Sequence, residues 1–389
     1  GLGDVYKRQL WHFARTQCIL SMIQFRTEVV RAKRVDNTWL ITTRALDSQQ
    51  KQTHTFDYIV AAHGRCNAPY IPAIPGISNF RGRQIHSAWY RYPDTLQARR
   101  IMIVGNNSSG ADIARELCGG AVRTWPTSAS WERQLQDVSV FHSYQDPTKP
   151  PPVDFDPRDE SSPSWCRRIQ VVGPIQYIDE QGVIVFHDGR RLSNIDMIVW
   201  ATGFMYQVPF FHASDPPFAE SPLVVRDEHT RAIPSVSAVS VLHQLDDWML
   251  FYRTEPSVCF LGLPNHIVPF PMAQLQARVA AHIWLNKMHP LPRARAELCI
   301  SDPERWNIRS MDTSSSVALD QAQLGPRRFE SPDIWGDFTM GADAEAAYTD
   351  ALLSLLPAAS NAPEWAPFPI WRRELRKQGK AKRREILGY

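Results

Sequence analysis

The segment RIMIVGNNSSGADIAREL, residues 100–117, restricts the fold of this chain more than any other stretch. Ile101, Met102, Ile103 and Val104 form an uninterrupted apolar run that stops at Gly105. A run without alternation is the pattern of a strand covered on both faces, as in parallel sheets flanked by helices. Gly105-Asn106-Asn107-Ser108-Ser109-Gly110 follows, and Ala111, Ile113, Ala114 and Leu117 then recur at helical spacing. A buried strand that enters a helix through a turn of small residues presents the helix's first N–H groups to a ligand, and a pyrophosphate suits them. The turn keeps the first and third glycines of G-x-G-x-x-G at Gly105 and Gly110, with Asn107 in the middle place. A side chain there limits backbone approach to a phosphate, although Asn tolerates left-handed backbone better than most residues. Asp112, just inside the helix, is expected to support the turn. The expected fold class is therefore α/β.

Bulk properties narrow the class of protein. A chain of 389 residues has room for two domains and a substantial core. A hydrophobic share of 43% with 21% charged residues is that of a globular protein, and a formal charge of +3 gives no ground for a nucleic-acid partner. The six cysteines include no C-x-x-C pair and no metal-like spacing, so free thiols in a reducing, cytoplasmic setting are expected and no metal site is. No apolar run reaches the ~18 residues of a membrane span. Arg372–Arg384 holds eight basic residues, read as a solvated helical face. Peripheral association with a membrane stays open.

Two further motifs flank the turn. Upstream, Phe80, Gly82, His86 and Tyr90 stand as F-x-G-x-x-x-H with an aromatic four places later. Downstream, DMIVWATGF ends a second buried run in Ala201-Thr202-Gly203-Phe204. Together with the turn, these motifs resemble those of the flavin-containing monooxygenases. The related Baeyer–Villiger monooxygenases end the first motif in Trp; here Trp89 comes one place early and Tyr90 holds the slot. Further matches run from about Leu10 to beyond Arg278.

The resemblance implies two Rossmann-like dinucleotide-binding domains, an NADP domain inserted into an FAD domain. Residues 10–95 and 205–389 would form the FAD domain, the latter with a C-terminal helical extension, and 96–204 the NADP domain. The implied cofactors are FAD and NADP, and the implied reaction transfers one oxygen atom from O2 to a nucleophilic nitrogen or sulfur of a small molecule, as in N,N-dimethylaniline monooxygenase activity. A Baeyer–Villiger or N-hydroxylating relative is the alternative enzyme, and a nucleotide-binding remnant without catalysis the alternative of another class. Catalytic side chains and the oligomeric state are left unassigned.

The resemblance also distributes the site. Gly105, Asn106, Asn107, Ser108, Ser109, Gly110 and Asp112 would form the NADP turn. An acidic residue some twenty places on, the mark of NAD, is lacking, and Arg123 and Arg133 near an expected second strand, Ala121–Trp125, tilt toward NADP; surface arginines fit the same pattern. Val29, at the end of a strand over Ile23–Val30, would lie beside the adenine of FAD, though an edge hairpin without a ligand fits equally. Gly64, ending a buried strand over Phe56–Ala62, and Gly203 would let backbone approach a cofactor. Leu263, Gln274 and Gln276, around a helix starting near Pro271, would contact the flavin. His86 and Tyr90 would organise the segment between domains. A complete relative opens with its own strand, G-x-G-x-x-G and helix, and no counterpart precedes Leu10. The chain is thus expected to be a fragment, with an FAD domain incomplete at its N-terminus, a non-native leader at 1–9, and no activity by itself.

Overall fold

A computed structural model describes residues 2–120, 137–226, 240–242, 244–295, 298–311, 339–357 and 368–387. They fall into two compact units, one of Gly1–Gly64, Val208–Val225 and Leu242–Pro369, the other of Arg65–Gln207, Arg226–Val241 and Ile370–Tyr389. The main body of the second unit is an insertion in the sequence of the first.

The second unit is built on a five-stranded parallel sheet, ordered Arg83–His86, Met197–Trp200, Arg100–Val104, Ser139–Ser143 and Ile169–Val172. Its central strands are buried on both faces, as their unbroken apolar runs require. Ile101, Ile103, Val140 and Val199 pack against Ile113, Ala114 and Leu117 of the helix Ser108–Leu117. Met102, Phe141, Ile198 and Trp200 face the other way, onto Ile175, Ile178, Ile184 and Phe186 of a small antiparallel sheet. Each such side chain, fully buried, contributes about 1.5–3 kcal/mol. The register is pinned at one end by Asp196, whose carboxylate accepts the backbone N–H groups of Arg99 and Arg100 at 2.9 Å each.

Several expectations shift here. Arg83–His86 is hydrogen-bonded to Met197–Trp200, so 65–95 joins the sheet-bearing unit and the division falls at Gly64 instead of after residue 95. The apolar run Ile169–Ile178 is broken by Gly173-Pro174 into two strands that serve different sheets. His142 is inside the strand Ser139–Ser143. The Pro- and Asp-rich loop that follows takes its order from polar contacts. Asp154 is buried against Arg115, Ser162 donates to the Asp156 carbonyl at 2.6 Å, and Arg158 donates to the carbonyls of Pro147 and Lys149. The expected second strand, Ala121–Trp125, lies outside the described residues, as do Arg123 and Arg133.

The first unit opens with a helix, Leu2–Thr16, which starts well before the expected Leu10 and runs unbroken through residues 2–9. Thr27–Val35, Thr38–Ala45 and Lys51–Phe56 make an antiparallel meander. Trp39 is fully buried, donates to Ser257 Oγ at 2.9 Å, and packs with Phe211 and Phe218. The strand expected over Phe56–Ala62 is only Ile59–Ala61, paired in parallel with Val258–Phe260. It is not a buried strand: Tyr58 and Val60 are exposed, because its sheet has two strands among the described residues. The helix expected near Pro271 starts earlier, as Pro269–Trp284, with proline in its first turn where no N–H is needed. No described helix is long and apolar enough to cross a membrane. All six cysteines are free thiols, with Cys118, Cys166 and Cys259 buried.

One buried acid in this unit makes stability depend on pH. Asp246 Oδ1 accepts the N–H groups of Leu250 at 2.7 Å and Phe251 at 3.1 Å, while Oδ2 is buried without a partner. Burial, aided by the charge of Asp247, pushes its pKa up to about 7 against those two hydrogen bonds and Arg253. The folded state therefore holds a proton that the unfolded chain releases near pH 4, so this contribution is full below that pH and is lost as pH rises toward 7. Each pH unit across that window costs at most about 1.4 kcal/mol. Asp246→Asn keeps the acceptor without the charge, and should raise the unfolding midpoint at pH 8 while leaving it little changed at pH 4.5. Calorimetric scans of both proteins across this range check it.

Candidate functional site

The turn after Arg100–Val104 is built by close approach. Gly105 has φ of +100°, and a Cβ on it would lie 2.5 Å from the Ala201 carbonyl oxygen. A Cβ on Gly110 would penetrate the Gly105 carbonyl and come within 3.1 Å of His142 Nε2. These two glycines let the helix start directly above the strand end. Asn107 is the N-cap in extended conformation, and its side chain makes no capping hydrogen bond. The first-turn N–H groups of Ser108, Ser109 and Gly110 have no partner within the helix, as at any helix start. Asn107, Ser108 and Ser109 are exposed, so the positive end of the helix opens to solvent.

Asp112 is engaged with Arg115, one turn further along the helix. Its carboxylate accepts from Arg115 Nη2 at 2.7 Å, and Arg115 Nη1 donates to Asp154 at 3.0 Å. Arg115 is 2% exposed, so this bridge is deep in the unit and supports the helix from below. His142, which no motif marked, reaches the turn from the neighbouring strand: its Nε2 is 3.0 Å from the Gly105 carbonyl oxygen. A lone histidine in SVFHS carries no pattern that would have found it.

The two flanking motifs meet the same sheet. Phe80 is in the core, and a Cβ on Gly82 would lie 2.5 Å from the Asp196 carbonyl, so only glycine lets this segment pass over the strand start. His86 is fully buried; Nδ1 accepts the Ala88 N–H at 3.1 Å, and the ring meets Phe204 edge-on at 5.1 Å. Its Nε2 is turned toward the Gly203 backbone but outside hydrogen-bond geometry, and burial lowers its pKa. Tyr90 donates to Glu116 Oε2 at 2.6 Å, tying the motif to the end of the turn helix. Burial raises the pKa of both groups. In the other motif, Ala201 is buried under the turn, and Thr202 donates to the Tyr70 carbonyl. The Tyr70 N–H donates to Gly203 at 2.9 Å, and Phe204–Met205 pairs with Ala68–Pro69. Gly203 itself is exposed, with φ of +83° and open space where a Cβ would be.

The first unit holds the other candidates. Val29 is 41% exposed on the strand Thr27–Val35, which begins four residues later than Ile23. Gly64 is exposed with φ of +76° and nothing over it. Gln274 points to solvent, whereas the Leu263 side chain is buried and could offer only backbone. Gln276 has no exposure: Oε1 accepts the Gly262 N–H at 2.9 Å and Nε2 donates to Tyr348 Oη at 2.9 Å. Its amide is buried and engaged at both ends in holding the Gly262 turn against the helix Ala342–Leu355, so it is not open to a ligand. No group of three metal-ligating side chains occurs among the described residues.

Comparison with known proteins fits this geometry. A family model described as flavin-binding monooxygenase-like matches residues 5–132. Flavin-containing monooxygenase FMO GS-OX5 of Arabidopsis thaliana is 28% identical over 269 residues, covering 69% of this chain and 49% of that protein. The thiol-specific monooxygenase of Saccharomyces cerevisiae is 27% identical over 270 residues, covering 68% of this chain and 54% of its own. The chain thus spans about half the length of these curated relatives. Among solved structures, S-allyl-L-cysteine S-oxygenase from Allium sativum shares the fold with a TM-score of 0.65 at 20% identity, over 97% of this chain and 69% of that one. Tmm from Pelagibacter sp. strain HTCC7211 does so with a TM-score of 0.55 at 20% identity, over 87% and 60%.

Two substitutions probe the turn's support. Gly110→Ala forces the helix off the strand, and should cost about 1–3 kcal/mol of stability, as overpacking does. Tyr90→Phe leaves Glu116 buried without its donor, and should cost about 1–3 kcal/mol. Chemical denaturation with a probe in the second unit measures both; unchanged midpoints would contradict the packing described.

Proposed function

We propose that this chain, which belongs to the flavin-containing monooxygenase family, binds FAD and NADPH and serves to insert one atom of O2 into a nucleophilic nitrogen or sulfur of a small molecule. The observation that carries the reading is the Gly105–Gly110 turn. Its uncapped helix start, exposed Ser108 and Ser109, and glycines too tightly packed for any Cβ suit the pyrophosphate of a nicotinamide dinucleotide. Gly105, Asn106, Asn107, Ser108, Ser109 and Gly110 would hold it, through backbone N–H groups more than side chains.

The residues proposed toward FAD act mainly by leaving room. Gly64 and Gly203, each with left-handed backbone and open space above, would let a planar or phosphate group approach the main chain. Gln274 would offer an exposed polar side chain, and Leu263 a backbone edge. Val29 would offer an apolar edge. When bound, the two cofactors supply hydride and oxygen chemistry, and the protein's task is to hold and orient them. Thr202 and Tyr70 anchor the Gly203 segment, and His86, neutral through burial, packs behind it without serving as an acid or base. The thiol- and S-oxygenating relatives favour sulfur as the accepting atom.

The test is product analysis with isotope-labelled O2, FAD and NADPH on this chain joined to the strand–G-x-G-x-x-G–helix segment that opens a complete relative, offering a thioether, a tertiary amine and a cyclic ketone. A sulfoxide or N-oxide carrying labelled oxygen is expected. A labelled lactone would move the assignment to Baeyer–Villiger chemistry. Tight nucleotide binding with no labelled product from any of them would replace the enzyme reading with that of a binding protein.

A further inference from the structure

We propose that His142 is a positioning residue for the dinucleotide turn, holding the Gly105 peptide in the orientation that frees the helix N–H groups for phosphate. The proposal rests on the reading of that turn as the nucleotide site. Gly105 is gripped from one neighbouring strand at both of its polar groups. Its N–H donates to the Ser143 carbonyl at 3.0 Å, and its C=O faces His142 Nε2 at 3.0 Å. A carbonyl can only accept, so Nε2 must carry the proton. Burial pushes the pKa of this imidazole down to about 4, opposed only by the hydrogen bond to Gly105, so the ring is neutral at pH 7 and Nε2–H is the required tautomer. His142 is 2% exposed, and Tyr144 meets its ring edge-on at 4.9 Å, which fixes the ring plane.

The geometry gives this hydrogen bond a task beyond packing. Gly105 sits at φ of +100°, where a glycine peptide flips with little steric resistance. A flipped Gly105 peptide would turn its carbonyl oxygen, an acceptor, toward the place where phosphate oxygens are expected and would repel them. Ser143 fixes the N–H of that residue, but the following peptide, whose oxygen points at His142, is held from the side by His142 alone among the hydrogen bonds described. Gly110 completes the arrangement, because the missing Cβ there leaves the space through which Nε2 reaches Gly105. Other turns of this type can rely on a middle glycine; this one has Asn107, and an outside restraint compensates for a less adaptable turn.

The experiment measures NADP+ binding by calorimetry on the full chain with His142→Phe, His142→Gln and Gly110→Val, alongside thermal midpoints. His142→Phe keeps bulk and removes the donor; His142→Gln places an amide N–H close to the original Nε2. About tenfold weaker binding in the Phe variant, recovered to within about threefold by Gln, is the expected result, since one hydrogen bond is involved. Equal binding by wild type and His142→Phe, with Gly110→Val not binding, would overturn the role of His142 and leave the turn assignment standing. Unchanged binding in Gly110→Val would remove the turn assignment and this proposal with it. Equal weakening in Phe and Gln variants, tracking lost thermal stability, would reduce His142 to packing and overturn the proposal. Should His142→Phe not fold, nitrogen-15 spectra of histidine-labelled wild type decide: Nε2–H with a resonance shift on adding NADP+ supports the proposal, and Nδ1–H refutes it.

Discussion

The second unit depends on one approach of backbone to backbone, where the helix start at Gly110 lies against the Gly105 carbonyl with room for a hydrogen and nothing more. From that contact follows the rest of the local design. The helix can sit low on the strand, so Ile113, Ala114 and Leu117 reach Ile101 and Ile103, and its first N–H groups emerge level with the sheet's edge. Ala201 comes up beside Gly105 from the adjacent strand, so two motifs far apart in sequence share one floor. The surface that the turn offers is made of main chain. Side chains contribute by fixing main chain in place, which is the part played by Asp196 and Thr202.

What could be read from residues alone followed from how local the physics is. Strand, turn and helix at residues 100–117 depend on neighbours a few places away, and their apolar runs mark them. The Ala201–Phe204 and Phe80–Tyr90 motifs were legible as fixed spacings around two glycines, Gly203 for its left-handed backbone and Gly82 for its passage over the Asp196 carbonyl. Element ends were less so. The break at Gly173-Pro174 illustrates why: it looks like a minor interruption of an apolar run, yet it reassigns the following strand to another sheet.

Long-range partners were not legible. Arg115 reads as an exposed helical arginine until Asp154 is brought beneath it, and Gln276 reads as a polar residue for a ligand until Gly262 and Tyr348 use both ends of its amide. His142 stands in no motif, and only the sheet order reveals that it is next to Gly105. Tyr58 and Val60 failed in the opposite direction, since apolar character in a short strand says nothing of how many strands flank it.

The Arg115–Asp154 bridge has a further consequence, for the order in which the unit can assemble. The inner face of the helix carries a guanidinium that Asp112 meets at Nη2 and that needs, at its buried Nη1, a second carboxylate from 39 residues later. Until that loop arrives, the helix cannot settle fully onto the sheet. Closure of the Pro- and Asp-rich loop is thereby coupled to docking of the helix that carries the glycine turn.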